Sequence, residues 1–259
     1  MKKVISLGLG LQSSTLYFMS SLEIIERADV AIFADPMRES KETYRYKELL
    51  LKWAKENKGI PIITGVYGDL YNDIMNANGK RVAQLPLYSL EGNMKGLLLR
   101  QCTYEYKVLA VRRAYKNWLG LGKRDRYPDT EMWIGITIDE ASRMKDSKDK
   151  WQTNRYPLIE KGMDRADCAV WLHSYMIDRP PKSACTFCPY QSDRRWLNLK
   201  RNNPEEFESA CLLDDKIRIN PKLRSKLYLH RSFKPLREAN LQENQLDAFD
   251  NECEGYCGI

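Results

Sequence analysis

The chain has 259 residues, of which 43% are hydrophobic, and its 42 basic residues outnumber its 35 acidic residues, giving a formal net charge of +7. No apolar run approaches the roughly 20 residues that a membrane span needs, and no signal-type apolar region follows Met1, so we expect a soluble, cytoplasmic protein without a membrane partner. The seven cysteines, an odd number, argue against a disulfide framework and favour reduced thiols or metal ligands. The moderate positive charge is compatible with a polyanionic partner such as nucleic acid.

Strand-like and helix-like stretches alternate in the first part of the chain. The pattern predicts strands at 4–7, 30–34, 61–65 and 131–137, with helices at 13–27 and 43–57. This alternation predicts an α/β fold with a doubly wound, mostly parallel sheet and helices on both faces.

The rest of the chain is more polar. We predict an insertion at 76–99, a helix at 103–119, a charge-dense loop at 139–155 and a helix at 166–176. Beyond residue 193 the pattern indicates short charged helices interrupted by prolines. Two domains are therefore predicted: a nucleotide-binding domain at 1–192 that carries metal-site cysteines, and a helical C-terminal extension with a cysteine-containing tail at 193–259.

A glycine-rich loop, Gly8-Leu-Gly-Leu-Gln-Ser-Ser14, follows the first predicted strand and precedes the first helix. Glycines 8 and 10 allow main-chain N–H groups to turn toward a phosphate, and Ser13 and Ser14 can add hydroxyl donors at the helix N-terminus. The same pattern also suits a tight strand-to-helix turn with a serine cap. Asp35 and the segment after Gly135 follow two other strands, so all three segments are expected at the carboxyl edge of the sheet, where ligands bind in such folds.

Three cysteines are arranged like metal ligands. Cys185 and Cys188 are spaced so that both thiolates can reach one metal, and Cys102 would join them through the fold. Cys253 and Cys257 in the tail leave several interpretations open: a fourth ligand to this site, a mobile redox pair, or a four-thiolate zinc site with Cys185 and Cys188. A chain without metal is the remaining alternative.

Four segments together resemble a known family. Gly8-Leu-Gly-Leu-Gln-Ser13 resembles the pyrophosphate loop, Ser-Gly-Gly-x-Asp-Ser, of the adenine nucleotide α-hydrolase (PP-loop) superfamily. Asp35-Pro-Met-Arg-Glu-Ser-Lys-Glu-Thr-Tyr44 and Gly135-Ile-Thr-Ile-Asp-Glu-Ala-Ser-Arg143 are similar to segments of its phosphoadenylyl-sulfate (PAPS) reductase branch. Cys102 with the Cys185-x-x-Cys188 pair is similar to the cysteine pattern of the iron–sulfur subset. The resemblance extends over residues 3–190.

The resemblance implies a Rossmann-like fold and a division of labour. ATP and Mg²⁺ would occupy the glycine loop, a substrate oxygen would attack the α-phosphorus, and sulfur from a [4Fe–4S] cluster held by Cys102, Cys185 and Cys188 would displace AMP. This is the chemistry of tRNA or DNA thiolation, with nucleic acid as the substrate and a sulfur donor as partner. The alternative is a sulfonucleotide (PAPS or APS) reductase that uses Cys253 or Cys257 as nucleophile and an electron donor as partner. A homodimer is compatible with either activity.

The resemblance also implies roles for individual residues. Residues expected to hold the adenine nucleotide are Ser6, Gly8, Gly10, Gln12, Ser13, Ser14, Asp35 and Gly135. Residues expected at the substrate are Glu39, Arg100, Lys107 and Lys182. The three cations of that set, together with the expected catalytic residue Arg143, would stabilise the leaving pyrophosphate.

The chain departs from the family pattern at three positions. Gln12 stands where the family has an aspartate, Thr137 where it has an arginine, and Thr103 where a second paired cysteine would lie. With three cysteines instead of four, one iron of a cluster would be open to a small ligand. Gln12 also motivates a third hypothesis, a zinc-stabilised nucleotide- or nucleic-acid-binding protein without catalysis.

Structural roles are expected for the two histidines and for two further cysteines. His173 and His230 are expected to be structural, because the sequence offers neither of them an acidic partner. Cys168 and Cys211 lie in helical patterns and are expected to be buried small hydrophobic residues. Basic residues interleaved with aromatics from residue 194 to residue 237 suit either nucleic-acid contact or ordinary amphipathic helices.

Overall fold

The computed structural model describes residues 1–77, 85–219 and 224–243. These residues form two units that interleave along the chain. The first unit contains Met1–Tyr67 and Thr103–Ser183, and the second contains Gly68–Cys102 and the described residues from Ala184 onwards. The predicted domains follow one another instead of interleaving, and the boundary predicted after residue 192 stays a prediction.

The first unit is built on a five-stranded sheet in which every strand pair is parallel. Its strands are β1 (Lys2–Ser6), β2 (Val30–Asp35), β3 (Ile62–Val66), β6 (Thr130–Ile134) and β7 (Gln152–Arg155), in the order β3-β2-β1-β6-β7. The second unit supplies β4 (Tyr88–Glu91), β5 (Met94–Leu97) and β8 (Lys226–Tyr228), which form an antiparallel sheet of order β5-β4-β8. The α/β class with a parallel sheet is confirmed.

Both faces of the parallel sheet are covered, which explains its continuous apolar strands. Side chains on one face, such as Ile5, Phe33 and Trp133, pack with α1 (Leu11–Ser21), α2 (Lys41–Glu56) and α6 (Arg165–Ser174). Side chains that alternate with them, such as Val4 and Ile32, pack on the other face with α4 (Leu109–Trp118). The doubly wound arrangement follows from this period-two alternation.

Local sequence determines where several helices begin. Ser40 caps α2 by accepting a hydrogen bond from the Thr43 main-chain N–H at 3.2 Å. Asp164 and Asp167 form a reciprocal capping box at the start of α6, which satisfies two otherwise unpaired N–H groups. Helix α4 is preceded by a π-helical turn, Thr103–Val108, within the helix predicted at 103–119. Helix α1 ends six residues before the predicted limit, at Ser21, where the Ser20 hydroxyl instead donates to the Glu26 carbonyl.

The second unit contains α3 (Leu70–Met75), α7 (Asp193–Asn202) and α8 (Pro204–Ile217) besides its sheet. A helical C-terminal region is thus present, as predicted, and α8 begins at Pro204, whose fixed φ suits a first helical position. The first unit also has the short α5 (Pro157–Glu160).

One predicted loop was wrong, and the correctly predicted helical extension contains a strand that was not predicted. The segment 139–155, predicted as a loop, contains a 3₁₀ helix, Ile138–Arg143, and the edge strand β7. Strand β7 is polar because it pairs only with β6, and such an edge strand lacks the apolar run of a buried strand. The C-terminal extension, predicted as helical, contains β8, whose pairing with β4 is a long-range contact that local periodicity does not encode.

The two cysteines predicted to be buried agree with expectation. Cys168 and Cys211 are almost fully buried, and burial raises the pKa of the Cys211 thiol to about 11. Among the described residues, no helix combines the length and apolar character that crossing a bilayer requires.

Candidate functional site

The strand order places a candidate site at the carboxyl edge of the first unit. The order changes direction between β1 and β6, because the chain proceeds outward from β1 to β3 on one side and from β6 to β7 on the other. Crevices at such switch points are where open α/β sheets bind ligands. The glycine loop follows β1 and the segment 135–143 follows β6, so the two predicted motifs flank this point.

The turn of the glycine loop is made at Leu9, a residue other than glycine. Leu9 has φ +58°, a left-handed conformation that costs a non-glycine residue about 1–2 kcal/mol, and its side chain is completely buried. Gly10 is extended and precedes the first turn of α1. Strain held by packing is typical of functional loops.

The Ser13 side chain serves the structure of the loop itself, whereas the buried Ser14 hydroxyl forms no hydrogen bond with the described residues. Ser13 Oγ accepts from the Gly8 N–H at 3.2 Å and lies 3.4 Å from the Gly10 carbonyl, to which it can donate. Ser14 is completely buried, and Ser6, at the end of β1, is nearly so. Phosphate binding at this loop would therefore rely on main-chain N–H groups at the start of α1 and on the helix dipole, more than on hydroxyl groups.

Gly135 lies directly against this loop. A Cβ atom at position 135 would approach the Ser13 main-chain nitrogen to 2.7 Å and the Gln12 carbonyl carbon to 3.0 Å. Neither backbone atom can move without shifting the start of α1, so the close approach of the two segments requires glycine. The structure thus brings these two predicted nucleotide-site segments into contact.

Gln12 connects the loop to the 3₁₀ helix. Its side-chain Nε2 donates to Glu140 at 3.0 Å and lies 3.5 Å from the Thr137 hydroxyl, while Glu140 pairs with Arg143 at 2.6 Å. Gln12 is completely buried, and its Oε1 accepts no hydrogen bond from the described residues. An aspartate or glutamate at position 12 would face the Glu140 carboxylate, so the amide suits this site where the family has a charge.

Asp35 ends β2 at the same edge. Its Oδ1 accepts from the Met37 main-chain N–H at 2.7 Å and from the Tyr44 hydroxyl at 2.8 Å. Burial, with a further contribution from the Asp35 carboxylate, raises the pKa of Tyr44, which therefore stays protonated as a donor. The turn is tight, since Met37 has φ +61°. Asp35 is thus fixed in place at the edge.

Glu39 and Lys107 form a buried ion pair in the first unit. Lys107 Nζ lies 3.5 Å from Glu39 Oε1, and the Ser183 hydroxyl donates to Glu39 Oε2 at 3.2 Å. Both charged side chains are less than a tenth exposed. Lys107 belongs to the π-helical turn, a distortion often associated with functional sites. These two predicted substrate residues are therefore brought together.

Other predicted residues are placed elsewhere or only partly characterised. Arg100 belongs to the second unit, where its guanidinium lies 5.6 Å from the centre of the Tyr190 ring. Lys182 is half-buried near the end of the first unit.

Cys102, Cys185 and Cys188 all belong to the second unit, and each is partly exposed. The Cys188 N–H donates to the Cys185 carbonyl at 3.0 Å, which closes a tight turn between the two thiols. Gln191 reinforces the turn by donating to the carbonyls of Cys185 and Thr186 at 3.2 and 2.7 Å. A rigid turn of this kind suits a thiolate pair that binds a metal or a cluster.

A single-ion site is not formed by the part of the chain that the structure describes, where no three side chains of His, Cys, Asp or Glu are arranged around one metal position. Cys253 and Cys257 lie outside the described residues, so their predicted roles as ligands, nucleophiles or a redox pair stay predictions. The metal assignment likewise stays a prediction.

Four residues of the site were not predicted individually. Tyr44 and Glu140 lie inside the quoted motifs, so their positions could have been read from the resemblance. Thr137 had been noted only as a departure from the family pattern. Ser183 carries no local signal, because only the tertiary fold brings it to Glu39.

Comparison with known proteins finds similarity among solved structures. No protein-family model and no curated protein sequence matches the chain. Among solved structures, the chain is similar to phosphoadenylyl-sulfate (PAPS) reductase from Candida auris, crystallised as a phosphate complex, with a TM-score of 0.42 and 15% sequence identity. The match covers 69% of this chain and 74% of that chain. The strand order and directions, independent of this similarity, establish the α/β fold.

Proposed function

We propose that the chain is an ATP-dependent enzyme of the PP-loop type, which adenylylates an oxygen of its substrate in preparation for sulfur transfer, with nucleic acid as the acceptor. The observation that carries the proposal is the contact between Gly135 and the loop at Ser13, tied by Gln12 to Glu140 and Arg143. This arrangement lies at the switch point of a parallel sheet, where a nucleotide binds in such folds.

The reaction has two balanced steps. A substrate oxygen attacks the α-phosphorus of ATP, the bond from that phosphorus to the bridging oxygen breaks, and pyrophosphate leaves. A sulfur nucleophile from a donor then attacks the activated carbon, its bond to the adenylylated oxygen breaks, and AMP leaves. The protein contributes mainly positioning and charge stabilisation to such phosphoryl chemistry.

The described residues divide these tasks. Main-chain N–H groups at the start of α1 would bind the phosphates, aided by the helix dipole. Arg143, held by Glu140, would stabilise charge on the leaving pyrophosphate. Asp35, fixed by Tyr44, would contact the ribose or position Mg²⁺. The buried Glu39–Lys107 pair offers a cation whose position is restricted by packing.

Cys102, Cys185 and Cys188 are the residues that would hold a [4Fe–4S] cluster. When bound, such a cluster with three protein thiolates would supply an iron open to a small sulfur ligand. The hydrogen-bonded turn between Cys185 and Cys188 supports their role as a ligand pair.

ATP–pyrophosphate exchange tests the proposed adenylylation. Wild-type protein with Mg²⁺ and candidate acceptors should exchange labelled pyrophosphate into ATP or release AMP. Protein purified without air should contain about four irons and four acid-labile sulfides, lost in Cys185→Ser. One zinc without sulfide, together with no exchange and no AMP release, would instead support a zinc-stabilised binding protein.

The sulfonucleotide reductase is retained as the second candidate because the sequence places two thiols, Cys253 and Cys257, in the tail. The reductase needs a tail thiol as nucleophile, whereas the sulfurtransferase does not. A Cys253→Ser/Cys257→Ser variant with full activity would exclude the reductase. Loss of a measured PAPS or APS reduction in this variant, with no exchange of pyrophosphate into ATP by wild type, would favour it.

A further inference from the structure

A cavity of about 340 Å³ lies in the first unit beyond the candidate nucleotide site. One wall comes from Tyr104, Val108 and Arg112, which recur at four-residue spacing and so share a helix face. The facing wall is the loop 145–149, and Gln152 and Asn154 of β7 complete the lining. The ring of Tyr104 is 42% exposed, with the Arg112 guanidinium 6.0 Å from its centre. The proposed reaction assigns no role to this cavity.

The loop side of the cavity provides cations. Lys145 and Lys148 are exposed, and neither forms an ion pair with any residue that the structure describes. Arg112, by contrast, is paired with Asp149, which fixes the loop against the helix. Asp146 offsets part of the positive charge. The Tyr104 ring therefore faces two exposed ammonium groups across a space of ligand size.

The same pattern continues along the surface from this cavity. Tyr127 donates its hydroxyl to the Arg112 carbonyl at 3.3 Å, and its ring stacks on Trp151 with centroids 4.2 Å apart. Lys116 Nζ lies 5.8 Å from the centre of the Tyr127 ring and donates to the Lys123 carbonyl at 3.0 Å. Tyr127 and Trp151 are partly buried and pack against the hydrophobic core through the buried Tyr115, so they support this surface, whereas Tyr104 offers an exposed ring.

The charge along this surface is strongly one-sided. Residues 112–126 contain six basic residues and one acidic residue, Asp125. Lys123, Arg124 and Arg126 are exposed, whereas Arg113 lies 4.3 Å from the centre of the Tyr67 ring. We define the basic–aromatic track as the cavity residues Tyr104, Arg112, Lys145 and Lys148, the contacts that continue from Arg112 through Tyr127, Trp151 and Lys116 to Lys123, and the exposed cations Arg124 and Arg126 that follow Lys123 in sequence.

We propose that the basic–aromatic track binds single-stranded nucleic acid, with one base in the cavity against Tyr104 and the backbone phosphates near Lys145, Lys148 and the cations at 123–126. Rings accept bases of any sequence by stacking, and interleaved cations neutralise phosphates. A duplex would keep its bases stacked internally, so the exposed ring favours a single strand.

The inference deepens the proposed function by giving the nucleic-acid acceptor a single-stranded form and a binding surface, and it rests on that function only for the chemistry after binding. The chain connects the two directly. Lys145 lies two residues after Arg143, and Tyr104 lies three residues before Lys107 in the same π-helical turn. The cavity lining is therefore close in sequence to two residues of the candidate site.

Fluorescence anisotropy with a labelled single-stranded oligothymidylate of about 12 nucleotides, without ATP, tests the track. Tyr104→Leu should weaken binding about tenfold through lost stacking. Lys145→Ala/Lys148→Ala should also weaken binding and reduce the slope of log affinity against log salt by about 1.4. The matched control, Lys55→Ala/Lys161→Ala, removes the same charge from exposed positions outside the track and should change affinity less than about twofold.

Contrary results are equally specific. Failure of wild type to bind the oligonucleotide, equal weakening in the control, no effect of Tyr104→Leu, or tighter binding of a duplex of the same length would each overturn the proposal. Circular dichroism and thermal melting confirm that each variant is folded. Pyrophosphate exchange without track-dependent binding would reject the track alone, and track-dependent binding without exchange would reject only the proposed reaction.

Discussion

Two buried carboxylates, Asp214 in the second unit and Glu39 in the first, differ in how fully their oxygens are hydrogen-bonded. In the second unit, Asp214 accepts from the Leu229 and Leu236 main-chain N–H groups at 2.7 and 2.9 Å and pairs with Arg218. In the first unit, Glu39 Oε1 lies 3.5 Å from Lys107 but forms no hydrogen bond with the described residues. A carboxylate whose oxygens all accept hydrogen bonds holds the surrounding loop in place. A buried oxygen without a donor costs folding free energy, and it is expected where a ligand supplies the missing donor.

Asp193 belongs with Asp214 in this comparison. It accepts from His230 at 3.0 Å, from Arg231 at 2.9 Å and from the Gln242 main-chain N–H at 3.2 Å. His230 is buried, and its other ring nitrogen lies 2.7 Å from the Ser232 hydroxyl. The carboxylate thus organises a chain segment. The expectation that His230 has no acidic partner was wrong, because the fold brings Asp193 to it, and its structural role stays a prediction.

The largest expected effect is on the stability of the second unit. Asp214→Ala leaves two main-chain N–H groups and the mostly buried Arg218 without their carboxylate, and should cost about 3–5 kcal/mol in free energy of unfolding. Urea denaturation measures this cost. Asp215→Ala is the matched control, because Asp215 is exposed and its ion pairs with Arg218 and Arg237 should contribute less than about 1 kcal/mol. Equal losses of unfolding free energy in the two variants would contradict the interpretation that Asp214 fixes this loop through its hydrogen bonds.

The next effect concerns the nucleotide loop. Gly135→Ala should lower ATP–pyrophosphate exchange about a hundredfold, because a displacement of about 1 Å at the loop misplaces the phosphates. Gly122→Ala is a suitable control, since its Cβ would meet only the flexible Asp125 carboxylate at 3.2 Å. Unchanged exchange in folded Gly135→Ala protein would show that the loop does not bind the reacting phosphates.

A charge exchange tests why position 12 is neutral. Gln12→Glu should reduce exchange about tenfold, because two carboxylates would then face each other where Gln12 now donates to Glu140. Gln12→Glu/Glu140→Gln restores one charge and one amide and should recover most of the loss. A double variant whose loss equals the sum of the single losses would show that the two side chains act independently.

The smallest expected effect is a change in acid sensitivity. Burial alone would raise the pKa of Asp193, but hydrogen bonds from His230, Gln242 and Arg231 hold it below its ordinary value of 3.8. Its carboxylate therefore contributes stability above about pH 4 that is lost as pH falls through the folded-state pKa. The difference in urea midpoint between wild type and Asp193→Asn should shrink between about pH 5 and pH 2. A constant difference over this range would contradict the prediction.

The local parts of the fold could be predicted from sequence. All four predicted strands were found within about three residues of their predicted bounds, as were the helices predicted at 43–57, 103–119 and 166–176. Burial on both faces of the sheet leaves uninterrupted apolar runs such as Val30–Asp35, which local sequence reveals. Strand β7 escaped notice because an edge strand can be polar, and β8 because its partner lies more than a hundred residues earlier in the chain.

The residues of the candidate site also fall into two groups, local motif positions and long-range pairings. Motif positions such as Gly135 and Arg143 could be predicted, since their spacing is local. The pairing of Glu39 with Lys107 and Ser183, and that of His230 with Asp193, depends on chain crossings that no window of sequence contains. The sequence shows only that Gln12 replaces the aspartate of the motif. The structure gives the reason for the amide, which is its hydrogen bond to Glu140.

The buried Leu9 side chain has a consequence for how the protein loses activity on heating. A loop whose left-handed residue is anchored in the core among Ile5, Leu7 and Phe33 cannot loosen on its own. Under the proposed function, nucleotide binding and the integrity of the core should therefore be lost in one thermal transition, without an intermediate that is folded yet unable to bind. Long-term storage of active protein then becomes a question of core stability alone.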